Sequence, residues 1–195
     1  RPFINMIIQQ EYSQHEERRM KKIFSLDNKI ALITGGGTGI GKAIAQCMVR
    51  AGARVVLTGR REQILAQACE EMGDRACYVS HDITALETTQ VFIRTVCDKA
   101  GLPDILVHNA GIHLKKSVSD TTEEDIQKVL NTHVIGSHSL TKAIVPAFIE
   151  RGSGSILFIT SMAAVFGIPS VCAYSAAKSA LLGVVRSYAS ELSDK

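Results

Sequence analysis

The sequence predicts an α/β fold, a doubly wound parallel sheet with helices on both faces. Three observations carry that expectation. Short apolar runs alternate with amphipathic stretches, the apolar runs are nearly continuous, and a glycine cluster, TGGGTGIG at 34–41, directly follows the first run. Strand–helix alternation at this spacing gives right-handed βαβ units. Continuous apolarity is what a strand covered on both faces requires.

KIALIT (29–34) reads as the first strand, and GKAIAQCMVRAG (41–52) as a helix stopped by Gly52. RVVLT (54–58) is the second strand, followed by a helix over REQILAQACEEMG (61–73). ACYVSHD (76–82) is the third strand, and LETTQVFIRTVCDKAG (86–101) the helix after it. DILVHNAG (104–111) is the fourth strand. Thr121 and Glu124 form a capping box for a long helix reaching about Glu150, bent at Pro146. SILFIT (155–160) is the fifth strand, and the last helix starts after Pro169 and runs to the end.

At 195 residues, 46% apolar and 21% charged, the chain is long enough for one substantial core. The formal charge of +3 is too small to argue for a nucleic-acid partner, and basic residues cluster near the start at Arg1, Arg18, Arg19, Lys21 and Lys22. Five scattered cysteines without C-x-x-C spacing point to reduced thiols and a cytoplasmic location. Six histidines without an H-x-x-x-H pair predict no metal site. Residues 152–177 carry no charge and are long enough to span a bilayer, yet Gly152, Gly154, Gly167 and Pro169 break the stretch, so no membrane span is expected. The chain begins with Arg1, and Met20 is a more natural start; residues 1–19 are expected to be read-through sequence.

Glycines at the first strand–helix turn allow positive φ, let backbone approach a ligand, and leave helix N–H groups facing an anion. Gly35, Gly39 and Gly41 give G-x-x-x-G-x-G, with Gly37, Thr38 and Ile40 inside the turn. After the first strand of a βαβ unit this favours a dinucleotide pyrophosphate over a bare tight turn. An acid at the end of the second strand would hold both ribose hydroxyls of NAD. The stretch here is Thr58-Gly59-Arg60-Arg61. A guanidinium suits a 2′-phosphate, so Arg60 favours NADP, with NAD the alternative. The bland reading is that both arginines open a solvated helix.

Read together, these segments resemble the short-chain dehydrogenase/reductase family, in its form with subunits of roughly 250 residues. The resemblance runs from about Phe24 to Lys195. TGGGTGIG fits the family's T-G-x-x-x-G-x-G, and Asp82, with Ile83 next to it, fits its acidic residue at the adenine. HNAG fits N-N-A-G, with His108 in place of the first Asn and Asn109, Ala110 and Gly111 retained. Asn131 fits the family's helical Asn, and Ser161 with Tyr174 and Lys178 fits Ser followed by Y-x-x-x-K. The resemblance implies a Rossmann-like sheet in the order 3-2-1-4-5, with the usual sixth and seventh strands missing. It divides the chain into an N-terminal extension over 1–23, disordered or non-native, and a dinucleotide-binding and catalytic domain over 24–195.

Tyr174 and Lys178 stand at i and i+4 and therefore share a helix face. Lys178 is the first charge after the uncharged stretch from Gly152 to Ala177. A lone cation acts strongly in such low-dielectric surroundings, and an ammonium beside a phenol favours the phenolate. The resemblance implies that Tyr174 is the acid–base group, that Ser161 holds the substrate oxygen, that Lys178 also binds the nicotinamide ribose, and that Asn131 places a water linking Lys178 to solvent. Tyr174 and Lys178 thus count among the cofactor-binding residues as well. The function expected is hydride transfer between a nicotinamide and a carbonyl or secondary alcohol, a carbonyl reductase in the reducing direction. A non-catalytic dinucleotide-binding fragment or sensor and a nucleotide-sugar epimerase or dehydratase are the alternatives. The family frame continues past Lys195, so a C-terminally truncated chain with a bare fifth-strand edge, poor solubility and little activity is expected. The apolar segment MAAVFGIPSVC (162–172) leans towards a hydrophobic substrate. The resemblance further implies a homodimer or homotetramer.

Overall fold

A computed structural model describes residues 23–195. The expected extension over 1–23 and the read-through of 1–19 lie, but for Ile23, outside the described residues. The elements are β1 (Ile30–Thr34), α1 (Gly39–Arg50), β2 (Arg54–Gly59), α2 (Glu62–Met72), β3 (Ala76–Ser80), α3 (Thr89–Ala100) and β4 (Ile105–His108). They continue with α4 (Glu123–Leu130), α5 (Gly136–Arg151), β5 (Ser155–Phe158) and α6 (Cys172–Leu192).

All pairings are parallel, and the sheet order is β3-β2-β1-β4-β5, as expected. Leu32 stands opposite both Val56 and Leu106, and Leu106 opposite Ile156. Strand residues alternate between faces. Ala31, Ile33, Val55, Leu57 and Val107 pack with Ala45, Leu65 and Ala68 of α1 and α2. Leu32, Val56 and Leu106 pack with Phe92, Val96, Leu140 and Ile144 of α3 and α5. This two-sided burial is the reason the strands lack polar alternation. Among the described residues β5 pairs on one side only, and its Leu157 is exposed. No described helix is long and apolar enough to cross a membrane.

Two local expectations change. The capping box uses Thr122 and Asp125 rather than Thr121 and Glu124: the Asp125 N–H donates to Thr122 Oγ1 at 3.2 Å, and the Thr122 N–H to Asp125 Oδ2 at 3.2 Å. Thr121 is already committed, its hydroxyl donating to the Ser117 carbonyl at 2.7 Å. The long helix is not a single regular helix, and Pro146 sits inside α5. It is interrupted by a wide π-turn over Asn131–Ile135. The π-turn delivers Gly136 against the Ile83 carbonyl, where a Cβ would collide. Such a turn inserts one residue and so rotates α4 relative to α5.

Candidate active site

The carboxyl ends of β1 to β4 open on a crevice of about 250 Å³. Its walls come from four strand exits: Thr34, Gly35, Gly37 and Thr38 after β1, Gly59, Arg60 and Arg61 after β2, His81, Asp82 and Ile83 after β3, and Asn109 to Ile112 after β4. This is where an open parallel sheet places a ligand, at the switch in strand order.

Main chain builds the centre of the crevice. Thr34 Oγ1 accepts the N–H groups of Asn109 at 3.0 Å and Ala110 at 2.9 Å. The Asn109 amide donates back to the carbonyls of Thr34 at 3.0 Å and Gly35 at 3.2 Å. Gly35 has φ +64°, and a Cβ there would lie 2.9 Å from the Asn109 amide nitrogen. A Cβ on Gly41 would overlap the Gly35 carbonyl and the same amide. Gly41 therefore works from behind the turn, Gly39 opens α1, and Ile40 is exposed. Thr38 precedes α1 without a side-chain cap, so the first N–H groups of the helix remain for an anion. This cradle fits a dinucleotide pyrophosphate.

Asp82 Oδ1 accepts from the Thr84 N–H at 3.0 Å and from its hydroxyl at 2.8 Å. Burial works to raise the carboxyl, but the Thr84 bonds and the charges of Arg60 and His81 outweigh it and hold Asp82 below the ordinary aspartate range. Arg60 and Arg61 form no salt bridge among the described residues.

Beside the crevice stands a side-chain cluster carried by α6. Lys178 is 4% exposed and turned inward, its Nζ donating to the Ile159 carbonyl at 2.6 Å. The ammonium lies 5.6 Å from the centre of the Tyr174 ring, and burial holds it below the ordinary lysine value. Ser161 lies just beyond β5 and caps the short turn Met162–Ala164, its oxygen accepting the Ala163 N–H at 3.2 Å while its own hydrogen stays available. The turn it caps packs on α6.

Asn131 is not brought to this cluster. Its side-chain oxygen accepts from Gln127 Nε2 at 2.7 Å, and it faces a neighbouring hollow with Gln127 and Lys128. His133 occupies the inward place instead. It is 2% exposed, its ring meets the Tyr174 ring edge-on at 5.5 Å and 83°, and Nε2 lies 2.9 Å from the Ile112 carbonyl and 3.1 Å from the Ile112 N–H. Burial first, then the nearby Lys178 charge, keeps this histidine below its usual value despite the Ile112 bond. A signal for it was present: Val129, His133, Ser137, Leu140 and Ile144 recur at helical spacing and are all buried, whereas Asn131 falls off that stripe. His113, exposed, lies 5.1 Å from the Tyr174 ring.

His108, in the place of the first Asn of the motif, is buried under β5, stacked on Phe158 at 4.4 Å with Nε2 2.8 Å from the Thr141 hydroxyl. Burial pushes it down to about 3. Among the described residues no group of three or more His, Cys, Asp or Glu side chains is placed to hold a metal ion.

Known proteins are similar to this chain in sequence and fold. The profile of the short chain dehydrogenase family matches residues 29–195. A dehydrogenase/reductase SDR family protein 7-like of Drosophila melanogaster is 35% identical over 177 residues, covering 87% of this chain and 54% of that protein. A 3alpha-hydroxysteroid dehydrogenase of Mediterraneibacter gnavus is 36% identical over 172 residues, covering 86% of this chain and 69% of its own length. The crystal structure of a short-chain dehydrogenase from Streptomyces avermitilis superposes with a TM-score of 0.80 at 36% identity, covering 85% of this chain and 61% of that one. The chain thus spans about half to seven tenths of the length of these proteins. The strand order, the glycine turn locked by Asn109, the Tyr174–Lys178 pair and the match over 29–195 agree: this chain belongs to the short-chain dehydrogenase family.

Proposed function

We propose that this chain carries the cofactor cradle and the acid–base centre of a nicotinamide-dependent oxidoreductase that interconverts a carbonyl compound and a secondary alcohol. The observation that carries the reading is the buried Lys178 ammonium, tied to the Ile159 carbonyl and set against the Tyr174 ring at the carboxyl edge of the sheet.

The nicotinamide cofactor, when bound, supplies or accepts the hydride. The residues of this chain do the rest. Gly35, Gly37, Thr38 and the start of α1 hold the pyrophosphate, and Asp82 and Ile83 border the adenine end. The Tyr174 hydroxyl gives its proton to the carbonyl oxygen during reduction and takes it back during oxidation. Ser161 donates a hydrogen bond to that oxygen and fixes its position for transfer. The Lys178 charge stabilises the phenolate left on Tyr174, and its inward burial makes that charge count for more than it would in water. The Asn131 side chain faces the hollow it shares with Gln127 and Lys128, so this reading does not assign it the water-placing role expected from the resemblance.

Arg60 favours NADP over NAD. It lines the crevice beyond β2 without a salt bridge among the described residues, so its guanidinium is available to a 2′-phosphate. The substrate proposed is an apolar carbonyl compound, since Met162, Val165, Phe166 and Ile168 are exposed on the segment after Ser161. A homodimer or homotetramer in the cytoplasm completes the reading.

The test is reduction of a panel of ketones and 3-oxoesters with NADPH and NADH. Tyr174→Phe is expected to abolish turnover and leave cofactor affinity nearly unchanged. Turnover surviving in Tyr174→Phe sinks the reading.

A further inference from the structure

His133 enters no motif in the sequence, yet it is the side chain that joins the crevice to the chemistry. Its Nε2 reaches the main chain of Ile112, the last residue of the crevice wall after β4, and its ring abuts Tyr174. Space is made for it: a Cβ on Gly111 would collide with the His133 ring, its nitrogens lying 3.0 Å from that position. The π-turn over Asn131–Ile135 and the buried Val129 stripe point it inward. The other ring nitrogen, Nδ1, is buried without a partner among the described residues.

We propose, on the reading of Tyr174 and Lys178 given above, that His133 is the positioning residue of this centre, a neutral imidazole protonated on Nε2 that holds the Gly111–Ile112 turn against Tyr174. One ring nitrogen cannot serve both Ile112 groups at once: protonated, Nε2 donates to the carbonyl, and bare, it accepts from the N–H. The choice decides what Nδ1 presents. A bare Nε2 leaves an N–H on Nδ1, buried and unpartnered, in a site whose nearest charge is the Lys178 ammonium. A protonated Nε2 leaves a lone pair there, which that positive charge favours and which a buried water can meet. Among the described residues, the charged and titratable groups around it are Lys178 and Tyr174 of α6 and, against Tyr174, His113. None is an acid that would draw a second proton onto the ring. Protonation of His133 would set two cations side by side in a buried site, so acid should impair the centre through this residue.

The tautomer is read in the full chain by nitrogen NMR of labelled histidine, with no cofactor and no turnover. His133 is expected to carry its proton on Nε2 and to stay neutral as the pH falls below about 6.5, the ordinary histidine value. A proton on Nδ1, or titration at the ordinary value, overturns the assignment. Kinetics with NADPH and ethyl acetoacetate supply the second arm. His133→Phe is expected to lower kcat about tenfold or more while the NADPH Kd moves by less than about threefold, a split that a loss of fold would not produce. His133→Gln, whose amide both donates and accepts, should recover most of kcat and lose the acid limb of the profile. A folded His133→Phe protein with unaltered kcat also overturns the proposal. The tautomer stands or falls without catalysis, and loss of turnover in Tyr174→Phe judges the reductase reading separately.

Discussion

At the β1–β4 end of the crevice, Gly35, Gly41 and the Asn109–Gly111 turn present main chain. At the β5 side, Tyr174, Lys178 and His133 present side chains carried on two helices. The first surface is made by excluding Cβ atoms and by hydrogen bonds that close on themselves through Thr34 and Asn109. The second is made by burying a charge and an imidazole around a phenol. On the proposed reading, one end would recognise shape and anionic charge, and the other would manage a proton. Damage at one end should therefore appear as lost affinity, and damage at the other as lost turnover.

The largest test of that division is Lys178→Met, which keeps the length of the side chain and removes its charge and its bond to Ile159. We expect kcat to fall about a hundredfold or more, in the range of a lost acid–base group, with the NADPH Kd rising by less than about tenfold. Equal losses in both would erase the distinction between the two ends. Gly41→Ala strikes the other end. Its Cβ meets backbone and the Asn109 amide, so the turn must shift at a cost of about 1–3 kcal/mol, read in thermal melting and in NADPH titration. Unchanged affinity in that variant would mean the cradle is not the binding surface.

Arg60→Ala sharpens the affinity side further. Loss of a charge-assisted contact should weaken NADPH about tenfold and leave NADH unchanged, measured by fluorescence titration with each cofactor. The smallest effect concerns His108, beneath both ends. The unfolded chain protonates this histidine at about 6.5, whereas in the fold it resists until about 3. Between those values the unfolded state binds more protons, so stability is full above that window and is lost as pH falls through it. His108→Asn should remove about 1 kcal/mol of the loss of stability between pH 7 and one unit below the ordinary histidine value, seen in urea melts at the two pH values. Parallel melts for both proteins would show that another group sets the acid response.

Strand identity and the glycine turn were legible because each is written in contiguous residues, whereas the strand order came from the family resemblance. TGGGTGIG lies within one strand–helix junction, and Tyr174 and Lys178 lie one turn apart in a single helix, where α geometry alone puts them on one face. The helix start near 121 was legible only to within one residue, since Thr121 and Thr122 are both good caps and the Ser117 carbonyl claims the first. That His133 packs against Tyr174 was not legible from a motif. Asn131 and His133 stand two positions apart, which in a helix turns a side chain by about 200°, to nearly the opposite face. Only the buried stripe from Val129 to Ile144 separates them, and a wide turn interrupts that stripe.

By itself, then, the amino-acid order determined the class of sheet, the glycine turn and the placing of the phenol and ammonium on one helix face, because period, glycine placement and i, i+4 spacing are local and act within one element. Tertiary structure alone decided which way the α4–α5 junction rotates, that Lys178 finds the Ile159 carbonyl, and that His133 rather than Asn131 lies against Tyr174. Those outcomes depend on how Gly111 and Gly136 let separate elements approach, and close packing between elements distant in the chain is a property of the assembled core.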